Sequence, residues 1–106
     1  MHTETHLKIL KYLESNPEAS QRQLAQELGV SVGKVNYCLK ALIFKGFIKA
    51  GNFKRNTQKL SYLYLLTPSG IEEKIRLTAS FLKSKITEHE KITQEIEQLK
   101  QDISNH

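Results

Sequence analysis

The 106-residue sequence lacks the residues on which redox, metal-binding and disulfide-stabilised proteins depend. It has one cysteine, Cys38, and therefore no partner for an intramolecular disulfide. Its four histidines, at positions 2, 6, 89 and 106, do not have the spacing of a zinc site. We therefore expect no metal ion and no cofactor, and the single free thiol favours a cytoplasmic location.

Long apolar runs are also missing. No stretch approaches the roughly 18 apolar residues of a membrane span, and the N-terminus MHTETHLKIL lacks the basic start and apolar run of a signal peptide. The sequence has no Ser/His/Asp, Cys/His or paired-carboxylate pattern and no glycine-rich phosphate loop. We therefore predict one small domain that is not an enzyme and has no membrane partner.

The most informative absence is that of acidic residues between Glu27 and Glu72, where seven basic residues fall. Residues 1–70 carry ten basic and four acidic side chains, a net charge of +6, whereas residues 71–106 carry six and seven, a net charge of −1. An acid-free basic segment suits a polyanion, because each neutralised phosphate releases counterions. Charge alone leaves open a chance clustering in a mildly basic chain.

Apolar spacing predicts three helices in the first half of the chain. The first covers Thr3–Ser15 and the second covers about Gln21–Leu28, where Ser20 and Gln23 form a capping box. Ser31 can cap a third helix that continues until Gly46. The connections between these helices are only a few residues long.

After Gly46 the pattern predicts a hairpin and then a long helix. Phe47–Ala50 and Leu60–Leu66 are candidate strands, and Gly51–Lys59 is a polar, basic loop between them. Thr67–Pro68 supplies an N-cap and a first-turn proline, after which the chain is helix-compatible to about Ser104.

The segment from Gln21 to Lys40 has the spacing of a helix-turn-helix. Ala25 is small where two helices would cross, and Gly29 can adopt the left-handed conformation that turns the chain. Apolar residues fill the angle between the helices and leave the N-terminal half of the second helix free for a DNA major groove. The residues left outward on this recognition helix are Ser31, Gly33, Lys34, Asn36, Tyr37 and Lys40.

These outward side chains have the chemistry of base and phosphate recognition. Asn36 can bind adenine through two hydrogen bonds, and Lys34 and Lys40 can reach guanine edges or phosphates. Residues at the start of the preceding helix could hold phosphates: Gln21, Arg22 and Gln23. The alternative is an exposed helix whose polar side chains are simply hydrated.

A basic hairpin directly after such a helix pair is typical of a wing. Its predicted tip carries cations and amides that suit a narrow minor groove, where the negative potential is strong. The predicted wing residues are Asn52, Lys54, Arg55 and Asn56.

The C-terminal helix carries an apolar stripe of the kind found in coiled coils. Strict heptads would place Lys85 and His89 inward, and Ile86 falls one position off the repeat. The stripe predicts a homodimer that reads a palindromic site, whereas the alternative is a helix folded back on its own domain, which Leu77 and Phe81 favour for its first part. Its residues are Ile71, Ile75, Leu82, Ile86, Ile92, Ile96, Leu99 and Ile103.

This order of elements resembles the winged helix-turn-helix of the multiple-antibiotic-resistance regulator (MarR) family, over roughly residues 5–80. Leu66–Gly70, Leu-Thr-Pro-Ser-Gly, is similar to that family's Leu-Thr-x-x-Gly opening of a long dimerisation helix. Ala19–Leu42 and Lys49–Lys54 look like the short members associated with exopolysaccharide (EPS) gene clusters. For these, the resemblance implies a transcriptional regulator of such a cluster.

Two features depart from the family pattern. The acidic-then-arginine wing motif of the family is absent, so Lys54 and Arg55 take the wing role by position only. Family members also have an additional N-terminal helix that joins the dimer and borders an effector pocket, whereas this sequence begins almost directly at the first helix of the DNA-binding fold. Whether an effector binds is therefore left open.

Together these observations predict a mainly α fold with a small β-hairpin wing, in which residues 1–70 form a winged helix-turn-helix DNA-binding domain. Residues 71–106 are predicted to form the dimerisation helix. The expected function is sequence-specific regulation of transcription by a dimer bound to double-stranded DNA. The alternative is an interaction module that keeps the winged fold, binds a different protein through the long helix, and has weak or no specific DNA binding.

Overall fold

The computed structural model describes residues 3–55 and 59–106, without the side chains of residues 53–62. It has three helices, a two-stranded antiparallel hairpin and one long helix, as the sequence predicts. The predicted fold class is therefore confirmed. The elements are α1 (Thr3–Ser15), α2 (Gln21–Leu28), α3 (Val32–Phe44), β1 (Ile48–Arg55), β2 (Lys59–Leu66) and α4 (Pro68–Ser104).

The core lies where the apolar sides of α1, α2 and α3 meet. Ile9 and Leu10 of α1, Leu24 of α2 and Val35 of α3 are completely buried in it. Cys38 is buried with them, and this burial raises the pKa of its thiol. The cysteine therefore acts as a small apolar side chain of the core and not as a nucleophile.

The hairpin corrects one sequence prediction. The long basic loop predicted over Gly51–Lys59 is wrong at both ends, because β1 continues to Arg55 and β2 starts at Lys59. The register pairs Asn52 with Tyr62 and Arg55 with Lys59. Backbone groups make these pairings whatever the side chain, so polar residues extend a two-stranded ribbon where apolar periodicity ends.

The hairpin is attached to the helical core at its base. Ile48 and Tyr64 are buried, and the Tyr64 N–H donates to the Pro17 carbonyl at 3.0 Å. This backbone bond ties β2 to the segment between α1 and α2. The base of the hairpin is therefore held in a defined position relative to α2 and α3.

The start of α4 is fixed by a cap and by a close backbone approach. The Thr67 hydroxyl accepts from the Gly70 N–H at 3.0 Å, and the Thr67 N–H donates to the Phe47 carbonyl at 3.1 Å. A Cβ on Gly70 would lie 2.0 Å from that same Phe47 oxygen. Glycine is therefore required where α4 crosses the chain segment that joins α3 to β1.

Most of α4 extends away from the rest of the molecule. Its 37 residues span about 55 Å at the helical rise, and the longest dimension of the molecule is 74 Å. Leu77 is buried, Phe81 is half-buried against the core, and Lys74 makes an ion pair with Glu14 of α1. Only the first part of α4 thus folds back on its own domain.

Among the described residues, no helix is long and apolar enough to span a bilayer.

Candidate DNA-binding face

The turn between α2 and α3 has the predicted geometry of a helix-turn-helix. Gly29 adopts a left-handed conformation, with φ 69°, and its N–H donates to the Ala25 carbonyl. At the other end of α2, the Gln23 N–H donates to the Ser20 hydroxyl at 3.0 Å, and the Ser20 N–H donates to the Gln23 side-chain oxygen at 2.8 Å. The predicted capping box and glycine turn are therefore confirmed, and they set the direction of α3.

The predicted recognition residues lie on one side of α3. Gly33 and Lys40 are exposed, and Tyr37 is 63% exposed. Lys34 and Asn36 are half-buried at the margin of the same face. Ser31 is exposed as well, but its hydroxyl caps α3 by accepting from the Lys34 N–H at 3.0 Å.

Asn36 belongs to a short hydrogen-bond chain that the sequence does not reveal. Its side-chain amide donates to the Gln21 side-chain oxygen at 3.2 Å, and the Gln21 amide in turn lies 3.3 Å from the Tyr64 hydroxyl. These side chains line an open groove of about 320 Å³ between α3 and the hairpin. These two hydrogen bonds connect α2, the recognition helix α3 and β2.

These hydrogen bonds give Gln21 a structural role that the sequence does not predict. Both ends of its amide are engaged within the domain, so it positions Asn36 in addition to any contact with a phosphate. Arg22 and Gln23 are exposed at the start of α2, where backbone N–H groups and the helix dipole favour an anion. The backbone-contact role of all three residues stays a prediction.

The lysines of α3 remain available to an external anion. In the part of the chain that the structure describes, neither Lys34 nor Lys40 belongs to an ion pair. Lys45 and Lys49, just beyond α3, are exposed too. Three lysines of the acid-free segment, Lys40, Lys45 and Lys49, are therefore exposed to solvent.

The predicted wing is only partly described. Asn52 is exposed on β1, and the backbones of Lys54 and Arg55 form the last two residue pairs of the hairpin register. The side chains of Lys54 and Arg55 and the whole of Asn56 lie outside the described residues. Their proposed contact with the minor groove stays a prediction.

The apolar stripe of α4 is exposed along its whole length. Its residues have exposed fractions from 41% at Ile71 to 78% at Ile103. Leu77, by contrast, faces the core and is buried. The stripe and the side of α4 that contacts its own domain are therefore different faces of one helix.

The described residues contain no group of three His, Cys, Asp or Glu side chains that could hold a metal ion.

Phe44, at the end of α3, is 90% exposed, and the sequence pattern predicts no role for it. Val32 and Ile43 of α3 lie at the edge of the core, with 46% and 36% exposure.

Residues 2–49 match a family model described as winged helix-turn-helix DNA-binding. A comparison with curated proteins found no similar sequence. Solved structures, in contrast, include several similar folds.

Three of these structures illustrate the similarity. A transcriptional regulator homologue from Pyrococcus horikoshii OT3 is 23% identical, with 79% of this chain and 81% of that chain covered and a TM-score of 0.60. A MarR/EmrR family transcriptional regulator from Acinetobacter sp. ADP1 is 18% identical, with 96% and 76% covered and a TM-score of 0.61. FabT from Streptococcus pneumoniae, solved in complex with DNA, is 25% identical, with a TM-score of 0.55. The alignment with FabT covers 78% of this chain but only 56% of FabT. Residues 2–49 of the present chain therefore match a winged helix-turn-helix DNA-binding model, and the fold of the chain is similar to that of MarR-type regulators.

Proposed function

We propose that this protein is a transcriptional regulator that binds a specific double-stranded DNA sequence as a homodimer. The observation that carries the proposal is the exposed face of α3, which joins Lys40, Tyr37 and the margin residue Asn36 on a capped helix. An α-helix of this kind fits the major groove, where amide and ammonium groups distinguish base pairs. The wing would lie at the adjacent minor groove.

Charge supports the same orientation. The acid-free segment between Glu27 and Glu72 includes all of α3 and both strands of the hairpin. A protein that binds only another protein has no need to concentrate cations on the recognition helix and the wing together. Binding to a phosphate backbone, by contrast, is strengthened by every cation that reaches a phosphate.

The dimer is supported by the exposed stripe of α4. Large apolar side chains such as Ile75 and Leu82 remain about 60% exposed in the single chain. A contiguous apolar surface of this length marks a protein interface. Two-fold pairing would let two copies of α3 read a palindrome whose half-sites are roughly 34–36 Å apart.

The regulated genes and the setting of the protein are further parts of the proposal. The resemblance of Ala19–Leu42 to the short EPS-associated regulators supports control of an exopolysaccharide gene cluster. FabT was solved bound to DNA, which supports a DNA partner for the shared fold. A DNA target also supports the cytoplasmic location expected from the sequence.

The second candidate is a winged-helix interaction module that binds a different protein through α4. The same exposed stripe favours it, because that stripe by itself does not identify its partner. The two candidates differ in what they require of α3. A regulator needs its polar face, whereas the interaction module does not.

The deciding experiment is selection of bound sequences from random DNA at a defined salt concentration. The proposed regulator should enrich one motif with two inverted half-sites. Enrichment of no motif, in a preparation that sediments as a folded species, would contradict specific DNA binding and favour the interaction module. A motif located upstream of exopolysaccharide genes would support that part of the proposal.

Asn36→Ala is expected to weaken binding to the selected site by about 1–3 kcal/mol and to relax the preference at one base position, because the amide is proposed to bind adenine. The measurement is a titration against the selected site and its single-base variants. Gln21→Ala removes the same Asn36–Gln21 hydrogen bond but leaves the Asn36 amide in place, so it should weaken binding without relaxing the preference at that base position. An equal loss on random DNA would count against base reading by Asn36.

Arg55→Ala is expected to weaken binding to all sequences alike, because the wing cation is proposed to neutralise phosphate charge. The slope of log affinity against log salt concentration should become shallower by about one unit. Lys91→Ala removes a cation from the exposed outer side of α4 and should leave the slope unchanged. An unaltered slope in Arg55→Ala would remove this residue from the DNA contact.

A further inference from the structure

The charges of α4 are divided between its two halves. Residues 71–87 carry four basic and two acidic side chains, a net charge of +2, whereas residues 88–106 carry two basic and five acidic ones, a net charge of −3. Neither half contacts a neighbouring element over its full length, because the helix projects from the domain. The packing of the single chain therefore does not account for this division.

The helix itself does not explain this division. A helix dipole favours acidic residues in the first turn and basic residues in the last turn. In α4 there is no acidic residue in the first turn and no basic residue in the last turn. The charges are thus arranged against the dipole of their own helix, but they would match a second copy that runs in the opposite direction.

The apolar stripe is free to receive such a copy. The domain-facing side of α4 is formed by Gly70, Lys74 and Leu77, and Phe81 continues it. Ile75 and Leu82 lie on the other side and stay exposed. A partner helix can therefore pack along the stripe without displacing α4 from α1.

We infer that the C-terminal helices of the dimer pair in antiparallel orientation, with the two-fold axis passing α4 near residue 87. This inference rests on the proposed homodimer and specifies its geometry. In a two-fold interface, residue i contacts residue j of the partner and residue j contacts residue i. With the axis at 87, the apolar contacts are Ile71 with Ile103 of the partner subunit, Ile75 with Leu99 of the partner subunit, and Leu82 with Ile92 of the partner subunit.

The centre of the helix favours the same orientation. Strict heptads place Lys85 and His89 in the seam. A parallel pair would set Lys85 directly against Lys85 of the partner subunit, with two like charges in one layer. An antiparallel pair sets Lys85 against His89 of the partner subunit, and it brings the two copies of Ile86 together beside the axis. Ile86, which falls off the heptad, thereby gains an apolar partner.

One pair of opposite charges beside the seam also favours this register. Glu72 follows Ile71, and Lys100 follows Leu99, so the antiparallel register brings Glu72 beside Lys100 of the partner subunit, twice in the dimer. The more basic half of each helix then lies along the more acidic half of the other. The register places the two copies of Ile71 at opposite ends of the paired helices, about 48 Å apart along the helix axis.

Cysteine cross-linking distinguishes the orientations. In a Cys38→Ala background, Ile75→Cys and Leu99→Cys are prepared as separate full-length chains, refolded together or alone, and oxidised. The antiparallel dimer should form the intermolecular disulfide only in the mixture. Disulfides in each single variant, and not specifically in the mixture, would indicate a parallel pair and overturn the inference.

Sedimentation of the reduced samples separates this result from failure of the proposed function. A monomer would contradict the dimer itself, and with it the inference. A dimer that forms a disulfide neither alone nor in the mixture would place the interface elsewhere and overturn the antiparallel register while leaving dimeric DNA binding intact.

Charge exchange provides a second measurement that does not introduce cysteine. Glu72→Lys and Lys100→Glu should each weaken the dimer about tenfold, since each replaces two attractive contacts with two repulsive ones. The double variant should restore the dimerisation constant. Lys91→Glu makes the same change as Lys100→Glu away from the seam and should not weaken the dimer. Absence of restoration in the double variant would remove the Glu72–Lys100 contact and overturn the proposed register.

Discussion

A chain that ends at Leu82 should sediment as a monomer and should bind the selected palindrome about 10²–10⁴-fold more weakly than the full-length protein. The truncation keeps Leu77 and Phe81, which contact the core, and removes the projecting stripe from Ile86 onward. Two linked DNA-binding domains gain affinity because the second half-site is bound intramolecularly. Without α4 contacts, each domain must bind a half-site alone.

A point substitution tests the same surface with the chain length unchanged. Ile96→Glu places a charge in the proposed seam, whereas Gln94→Glu adds the same charge on the outer side of the helix. Only the former should shift the sedimentation equilibrium toward monomer. A truncated chain that remains dimeric, or an Ile96→Glu dimer of unchanged affinity, would show that α4 is not the dimer interface.

Gly70→Ala is expected to destabilise the folded domain by about 3 kcal/mol or more, at the upper end of the usual effect of overpacking. The added Cβ would lie 2.0 Å from the Phe47 oxygen, 2.9 Å from its carbonyl carbon and 3.3 Å from its Cα. These are backbone atoms, and the same oxygen accepts the Thr67 N–H. The Phe47 backbone therefore cannot move away from residue 70 without breaking its hydrogen bond with the Thr67 N–H at the start of α4.

Thermal unfolding followed by circular dichroism measures this effect, and the melting temperature should fall by on the order of 10–20 °C. Gly33→Ala is the matched control, because its Cβ would meet only the Ser31 hydroxyl, at 3.9 Å. That substitution should leave stability unchanged or raise it by up to about 1 kcal/mol, since alanine favours a helix. Equal stability of the two variants would contradict the close approach at Gly70.

The helices were predictable because their signals are local. Ser20 and Gln23 bond to each other's backbone across one turn, and Gly29 ends α2 within its own loop. The N-cap at Thr67 likewise depends on the N–H of Gly70, three residues away. For these elements the residues that decide the structure are also neighbours in the sequence, so spacing alone predicted the helices to within a few residues.

The extent of the hairpin and the position of Gln21 were not predictable in this way. β1 continues through Asn52 to Arg55 because β2 supplies backbone partners, not because its side chains alternate. Gln21 looked like an outward residue at a helix start, but Asn36 and Tyr64 engage its amide from distant parts of the chain. Apolar periodicity contains no information on hydrogen bonds between such residues.

Residue order and short-range chemistry are thus sufficient for the succession of elements, the helix-turn-helix, the location of the positive charge and the apolar stripe of α4. The tertiary structure adds which face of α4 covers the core, why residue 70 must be glycine, and how Asn36 is held at the edge of the recognition face. Each of these depends on atoms from elements far apart in the chain that meet only after folding. Burial, close contact and side-chain hydrogen bonding between distant residues are properties of packing, and a linear pattern does not contain them.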